Sequence, residues 1–322
     1  MSYTSYTSYT RDPVPVSPVL SLAPVTLPTP GRAVDLQLRV SAPMSGADLP
    51  IVLLSHGHGP SNFLSSLHGY GPPRDFLAAR GFVVLQPTHL DSAALGLREA
   101  DDPEAPLYWR SRATDMSFVL DHLDDLEEAL PSLRGRVDRS RVAVVGHSMG
   151  GFTASMLLGA RGVDPTDGSP LDLTEPRVTA GVVMSAPGRG GDSLSEYAKE
   201  HYPILSGTDF SLMRTPTLVV AGAEDVSRHL NVRGPEWYTD PYALSPGRKA
   251  LLQLFGAGHA LGGVSGYDAA EATDENPELA DAALWLTWAF LRTELGLDEH
   301  AWDFASKALT TVPTPLGRIE TR

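Results

Sequence analysis

Arg141-Val142-Ala143-Val144-Val145-Gly146-His147-Ser148-Met149-Gly150-Gly151 decides how this chain is read. Val142 to Val145 is a continuous apolar run of the kind that fills a strand covered on both faces, and small residues around a serine follow it at once. A G-x-S-x-G spacing directly after a strand predicts a sharp strand-to-helix turn that presents the serine hydroxyl. That hydroxyl is a weak nucleophile at its free pKa and needs a base, which needs an orienting acid in its turn. Two later stretches supply both. Thr217-Leu218-Val219-Val220 leads into Ala221-Gly222-Ala223-Glu224-Asp225, and Leu251-Leu252-Gln253-Leu254-Phe255 leads into Gly256-Ala257-Gly258-His259. The expected roles are Ser148 as nucleophile, His259 as general base and Asp225 as the acid that fixes the imidazole tautomer. Glu224 is expected to face solvent. The preceding strand, Val178 to Met184, ends in Ser185-Ala186-Pro187-Gly188 and offers no carboxylate before Asp192.

Attack by a serine on a carbonyl places charge on the carbonyl oxygen, so fixed N–H donors are required there. The backbone of Met149 is expected to supply one. The other is assigned to the backbone of His58, flanked by glycines in Ser55-His56-Gly57-His58-Gly59. His56 and His58, with His68 and His89 further along, lack the tightly spaced additional ligand that a zinc site uses, so neither metal nor cofactor is expected. His147 is read as a packed supporting residue, and His122, His201, His229 and His300 as ordinary surface or core histidines.

The 322 residues, 42% of them hydrophobic, suit one large α/β domain. A formal charge of −14 argues against nucleic acid or an anionic membrane as the main partner. There is no cysteine, so disulfides and a thiol nucleophile are excluded. No apolar run has the length of a membrane span, and the polar amino terminus lacks the apolar stretch of a signal peptide, which makes a cytoplasmic location the default expectation.

Along the chain, residues 1–31 read as a flexible tail, with three Ser-Tyr-Thr copies followed by a proline-rich stretch. The expected main domain covers 32–296. Within it, alternation from Val34 to Val40 suggests an edge strand, and Pro50 to Leu54 and Phe82 to Leu85 suggest buried parallel strands. Helices are expected over Arg74–Arg80, Tyr108–Leu130, Gly150–Leu158 and from Pro277 to about Leu291. Strands alternating with helices predict a mostly parallel central sheet covered on both faces. The apolar stretch 188–213 is expected either as a small lid over the site or as a surface loop. Residues 297–322 are read as a carboxyl-terminal extension with a short helix near Ala301–Ala308.

The loop Ser55-His56-Gly57-His58-Gly59, the elbow Gly146-His147-Ser148-Met149-Gly150-Gly151, Asp225 and His259, in the chain order Ser, Asp, His, resemble the α/β-hydrolases. The likeness, over about Val34 to Leu295, is to the branch with chlorophyllase-like, platelet-activating-factor-acetylhydrolase-like and dienelactone-hydrolase-like proteins. The segment Arg112 to Asp121 resembles the helix before the elbow in that branch. There the loop reads S-H-G-x-G, and the resemblance implies an oxyanion N–H from the x position, here His58. Dienelactone hydrolases use a cysteine that this chain lacks, and plant chlorophyllases carry arginine where it has Met149. Polyester-degrading hydrolases share the same elbow but are usually secreted and disulfide-bonded. The resemblance implies a cofactor-independent serine esterase acting on a small to medium, partly apolar ester. A thioester or amide hydrolase or acyltransferase, a polyester hydrolase, and a non-catalytic binding protein of the same fold remain as alternatives.

Overall fold

Period-two alternation sorts the side chains of the elbow strand: Val142 and Val144 enter one core, and Ala143 and Val145 the other. Both faces of the sheet are therefore buried, as a continuous apolar run requires. The computed structural model describes residues 9–10 and 14–322, so most of the Ser-Tyr-Thr repeat lies outside the described residues. In chain order the elements are β1 (Val19–Leu27), β2 (Leu36–Pro43), β3 (Leu49–Ser55), α1 (Gly71–Ala79), β4 (Val83–Pro87), α2 (Trp109–Asp121), α3 (Leu123–Ala129), β5 (Val137–His147), α4 (Met149–Leu157), β6 (Arg161–Val163), β7 (Pro170–Asp172), β8 (Val178–Met184), α5 (Glu196–His201), β9 (Thr217–Gly222), α6 (Asp240–Ala243), β10 (Lys249–Leu254), α7 (Pro277–Glu294), α8 (Ala301–Thr310) and β11 (Gly317–Thr321).

Among the described residues nine strands form one sheet in the order β1-β2-β4-β3-β5-β8-β9-β10-β11, with β6 and β7 as a separate hairpin. Every pairing from β4 across to β10 is parallel. The pairs β1–β2, β2–β4 and β10–β11 are antiparallel. One face carries α2 and α4, whose Met116, Phe152 and Met156 join the core of Val142 and Val144. The other carries α1, α7 and α8 through Leu77, Leu286, Phe290 and Trp302. Helix α7 begins where Pro277 fits the first turn and the Asn276 side chain accepts the Glu278 and Leu279 amides, at 3.1 and 3.4 Å.

Three expectations are corrected. Part of the supposed tail, Val19–Leu27, is the edge strand β1, and the alternating segment expected at the edge is the inner strand β2. Proline is tolerated there because Pro24 sits where the register shifts, on a strand with one free edge. The single helix expected over 108–130 breaks at His122, whose ring nitrogen Nδ1 bonds the Phe118 carbonyl at 2.8 Å, the group a continuing helix would pair with the His122 amide. The supposed extension after 296 contains α8 and then β11, which completes the sheet beside β10. Residues 188–213 hold α5 between two single helical turns. No helix among the described residues is long and apolar enough to cross a membrane.

Candidate active site

Parallel strands leave their carboxyl ends on one edge of the sheet, and loops from that edge carry the chemistry. Ser148 lies between β5 and α4 with φ 54° and ψ −122°, a conformation an L-residue avoids unless its surroundings impose it. The glycines around it are demanded by close approach. A Cβ on Gly146 would sit 2.0 Å from the Gly150 carbonyl oxygen, and one on Gly150 would sit 2.1 Å from that of Ser55. Elbow and β3 loop thus touch backbone to backbone.

The loop after β10 brings His259 to the serine: its Nε2 is 2.9 Å from Ser148 Oγ. The loop after β9 brings Asp225, whose Oδ2 is 2.9 Å from His259 Nδ1. A carboxylate only accepts, so Nδ1 carries the proton and Nε2 of the neutral ring accepts from the serine hydroxyl. Asp225 is 1% exposed, while Glu224 points to solvent. Burial opposes charge on His259, but the Asp225 carboxylate outweighs it through charge and hydrogen bond. With Asp274 adding in the same sense, the pKa lies above the ordinary histidine value.

The amides of His58 and Met149 donate to no protein acceptor among the described residues, whereas the Gly57 amide is spent on the Tyr70 hydroxyl at 2.9 Å. Next to these free amides lies a cleft of about 220 Å³. Ser148, His259, His58 and Met149 line it together with Leu64, Leu107, Leu205, Leu230, Tyr202 and His229. Tyr202 and Leu205 come from the 188–213 segment. The arrangement can withdraw a proton from Ser148 as it attacks and can offer two N–H groups to an oxygen that gains charge.

Behind the cleft is a charged layer the sequence did not reveal. Asp91 and Arg112, both fully buried, form an ion pair. The other Asp91 oxygen accepts from His58 Nδ1 at 2.9 Å, and Arg112 also reaches the His56 carbonyl and, at 2.9 Å, Thr153 Oγ1. Burial opposes the Asp91 charge, but Arg112 and the His58 hydrogen bond overcome it and hold the carboxyl well below the usual range. Both ring nitrogens of His56 are engaged, one with the Gly57 carbonyl at 2.8 Å and one with the His89 amide at 3.0 Å. His89 bonds Ser55 and Asp115 in the same layer, both at 3.0 Å. Asp274 accepts the Gly258, Ala260 and Gly262 amides at 2.7, 3.2 and 3.2 Å, cradling the His259 loop. His56 and His58 belong to the loop motif and Arg112 and Asp115 to the helix segment already singled out, whereas Asp91, His89 and Asp274 stand in no recognisable motif.

No protein-family model matches the chain. It is 29% identical over 147 residues to the platelet-activating factor acetylhydrolase of Cavia porcellus, covering 35% of this chain and 33% of that protein. It is 27% identical over 184 residues to cutinase 2 of Thermobifida cellulosilytica, covering 57% of this chain and 52% of that one. A cutinase of Thermobifida fusca matches at 27% over the same share of this chain and 42% of its own length. The chain therefore spans between a third and about half of the relatives it matches. The fold is that of the α/β-hydrolases, and the similarity falls in the serine-esterase branch.

Proposed function

We propose that this α/β-hydrolase is a cofactor-independent carboxylic-ester hydrolase. The observation that carries the reading is the hydrogen-bonded row from Ser148 through His259 to Asp225, at the floor of an apolar cleft and beside two unspent amides. On this reading His259 Nε2 takes the Ser148 proton as Oγ attacks the carbonyl carbon. The Met149 and His58 amides receive the charge on the former carbonyl oxygen. Collapse expels the alcohol, which takes the proton from His259, and leaves an acyl group on Ser148. Water then enters and attacks the acyl carbon as it loses a proton to His259, and the acid leaves as His259 returns that proton to Ser148 Oγ. Asp225 holds the tautomer and offsets the charge of the imidazolium throughout.

The cleft is smaller than the ~300–1,000 Å³ of sites that enclose drug-sized ligands, and Leu64, Leu107, Leu205 and Leu230 give its walls an apolar component, so a small to medium, partly apolar ester fits it. Segment 188–213 supplies Tyr202 and Leu205 and in this reading sets which acyl groups enter. Hydrolysis of p-nitrophenyl esters of increasing acyl length, with Ser148→Ala alongside, tests the proposal. Serine-dependent turnover that falls beyond medium chains is expected, and an active Ser148→Ala protein refutes it. The cutinases among the relatives favour a second reading, attack on a polyester. Release of monomer from a polycaprolactone film at a rate comparable with tributyrin cleavage would select it.

A further inference from the structure

A buried chain of polar groups runs beside the row just described and takes no part in it. The Gly57 amide donates to Tyr70 Oη at 2.9 Å, Tyr70 Oη lies 2.8 Å from His147 Nδ1, and His147 Nε2 lies 2.7 Å from the His259 carbonyl oxygen. Its proton positions are forced. A carbonyl only accepts, so His147 Nε2 carries a hydrogen. Burial, with the charge of His259 adding to it, pushes His147 down to about 3, so the ring holds one proton and its Nδ1 must accept. Tyr70 donates to it, and burial, the larger influence on the phenol, keeps that proton in place. The Tyr70 oxygen is then the acceptor for Gly57. No alternative arrangement leaves every group paired.

The chain touches each of three loops once: the loop after β3, which carries His58; the elbow, where His147 precedes Ser148; and the loop after β10, which carries His259. Little slack exists. A Cβ on Gly57 would lie 2.7 Å from Tyr70 Oη and 3.2 Å from Ser148 Cβ. Tyr70 itself is held in the left-handed region at φ 59°, unfavourable for a bulky side chain and kept only where the surroundings insist. Its amide is anchored on the Ser265 carbonyl at 2.9 Å. Because Tyr70 holds the Gly57 amide, the next amide along, that of His58, is the one left facing the cleft.

We propose that Tyr70 and His147 are positioning residues, a hydrogen-bonded brace that sets the mutual placement of the His58 amide, the Ser148 hydroxyl and the His259 base. The inference rests on the esterase reading above. Tyr70→Phe removes one oxygen and keeps the ring, and His147→Phe removes both ring nitrogens. Each variant and the double variant are assayed on p-nitrophenyl butyrate well below their melting temperatures, and the wild type is also labelled with a fluorophosphonate. A wild type that neither turns over nor labels would sink the esterase reading itself. With an active wild type, Tyr70→Phe is expected to lose up to about 100-fold in kcat, the cost of a catalytic group displaced by about 1 Å, with KM within about threefold. The acid limb of its pH profile should stay put, because Asp225 and His259 are untouched. The double variant should lose little more than the worse single one, since both break the same chain. An unchanged kcat in Tyr70→Phe, a loss confined to KM, or losses that multiply in the double variant would overturn the brace.

Discussion

Asp274 offers a sharp test of how the proposed base His259 is held, because its own bonds go to the backbone amides around that residue and not to the Ser148–His259–Asp225 row. Its carboxylate accepts three backbone amides that flank His259, those of Gly258, Ala260 and Gly262. It lies just before Asn276, whose amide in turn donates to the Gly262 carbonyl at 2.9 Å. Hydrogen bonds to a charged acceptor contribute about 1.5–3 kcal/mol each when buried. Asp274 is only half-buried, so water can replace part of each bond, and the three together are worth on the order of 2 kcal/mol. For a chain of 322 residues, an unfolding entropy of about 2.1 cal/mol/K per residue turns that into a Tm fall of about 3 °C. The kinetic effect is expected to be disproportionate: a loop free to drift by about 1 Å costs up to roughly a hundredfold in rate.

Charge gives a second, independent readout. Asp274 helps to raise the His259 pKa. Removing a negative charge near an imidazolium destabilises the charged form, so that pKa falls, the base stays neutral to lower pH, and the acid limb of kcat/KM moves down. Asp274→Asn keeps the shape, removes the charge and loses part of the amide cradle. Asp274→Ala loses all of it. Scanning calorimetry and a pH–rate profile on p-nitrophenyl butyrate would check both. A Tm unchanged within about 1 °C together with kcat/KM within twofold, or an acid limb that moves upward, would refute the reasoning.

Other perturbations follow from the same geometry. Because the proposed base works as a neutral ring and the His259 pKa is raised, wild-type kcat/KM is expected to decline with falling pH from a midpoint above about 6.5, the ordinary histidine value; a midpoint below it would contradict the pairing with Asp225. Asp225→Asn should slow turnover by up to roughly 10⁴-fold through the wrong tautomer, while Glu224→Ala should leave it nearly unchanged, and the reverse ranking in steady-state assays would reassign the acid. Gly150→Ala would force a Cβ to within 2.1 Å of the Ser55 carbonyl oxygen, backbone that cannot swing aside, so loss of soluble, active protein is expected and a fully active variant would deny that contact. Arg112→Met strips the partner from buried Asp91, and unfolding in urea should register a loss of about 3–5 kcal/mol.

The parts of the fold that sequence revealed are those in which local pattern and tertiary outcome agree. Val142–Val145, Pro50–Leu54 and Phe82–Leu85 are apolar without interruption because both faces of β5, β3 and β4 are covered. Asn276-Pro277 announces α7 through the chemistry of its own first turn. The elbow is legible because backbone contacts at Gly146 and Gly150 forbid side chains there, whatever the substrate. Elements whose identity depends on distant partners were not legible. β1 hides among prolines because only a sheet edge with a register shift tolerates Pro24. β11 offers one large apolar residue, Ile319, and is a strand only because β10 is beside it. Asp274 and Asp91 do their work on backbone amides, an arginine and a histidine far away in sequence, and such bonds leave no periodicity. Tyr70 escaped notice for the same reason, although it stands thirteen residues from the loop it braces.

The site also shows how one side-chain type is made to do two kinds of work. An unperturbed histidine is partly charged near neutrality, and a charged ring next to His259, whose centroid is 5.0 Å from that of His147, would repel its imidazolium. Burial prevents this. It drives His56 and His89 well below the ordinary value, with neighbouring positive charge adding to the effect, and takes His147 to about 3. A ring that stays neutral has one donor and one acceptor, and His56 and His147 use both to join loop to loop. An imidazolium has two donors and no acceptor, so protonating His147 would leave the Tyr70 hydroxyl proton without its acceptor. The order of titration therefore matters. His259, raised by Asp225, takes its proton first as pH falls, and the brace around it stays intact until far more acid conditions. Burial also lifts Asp115, which bonds His89, to about 6, so acid loss of activity is expected to reverse completely on return to higher pH as long as the pH stays above about 6; loss that fails to reverse there would mean that the His147 connector had titrated with the base.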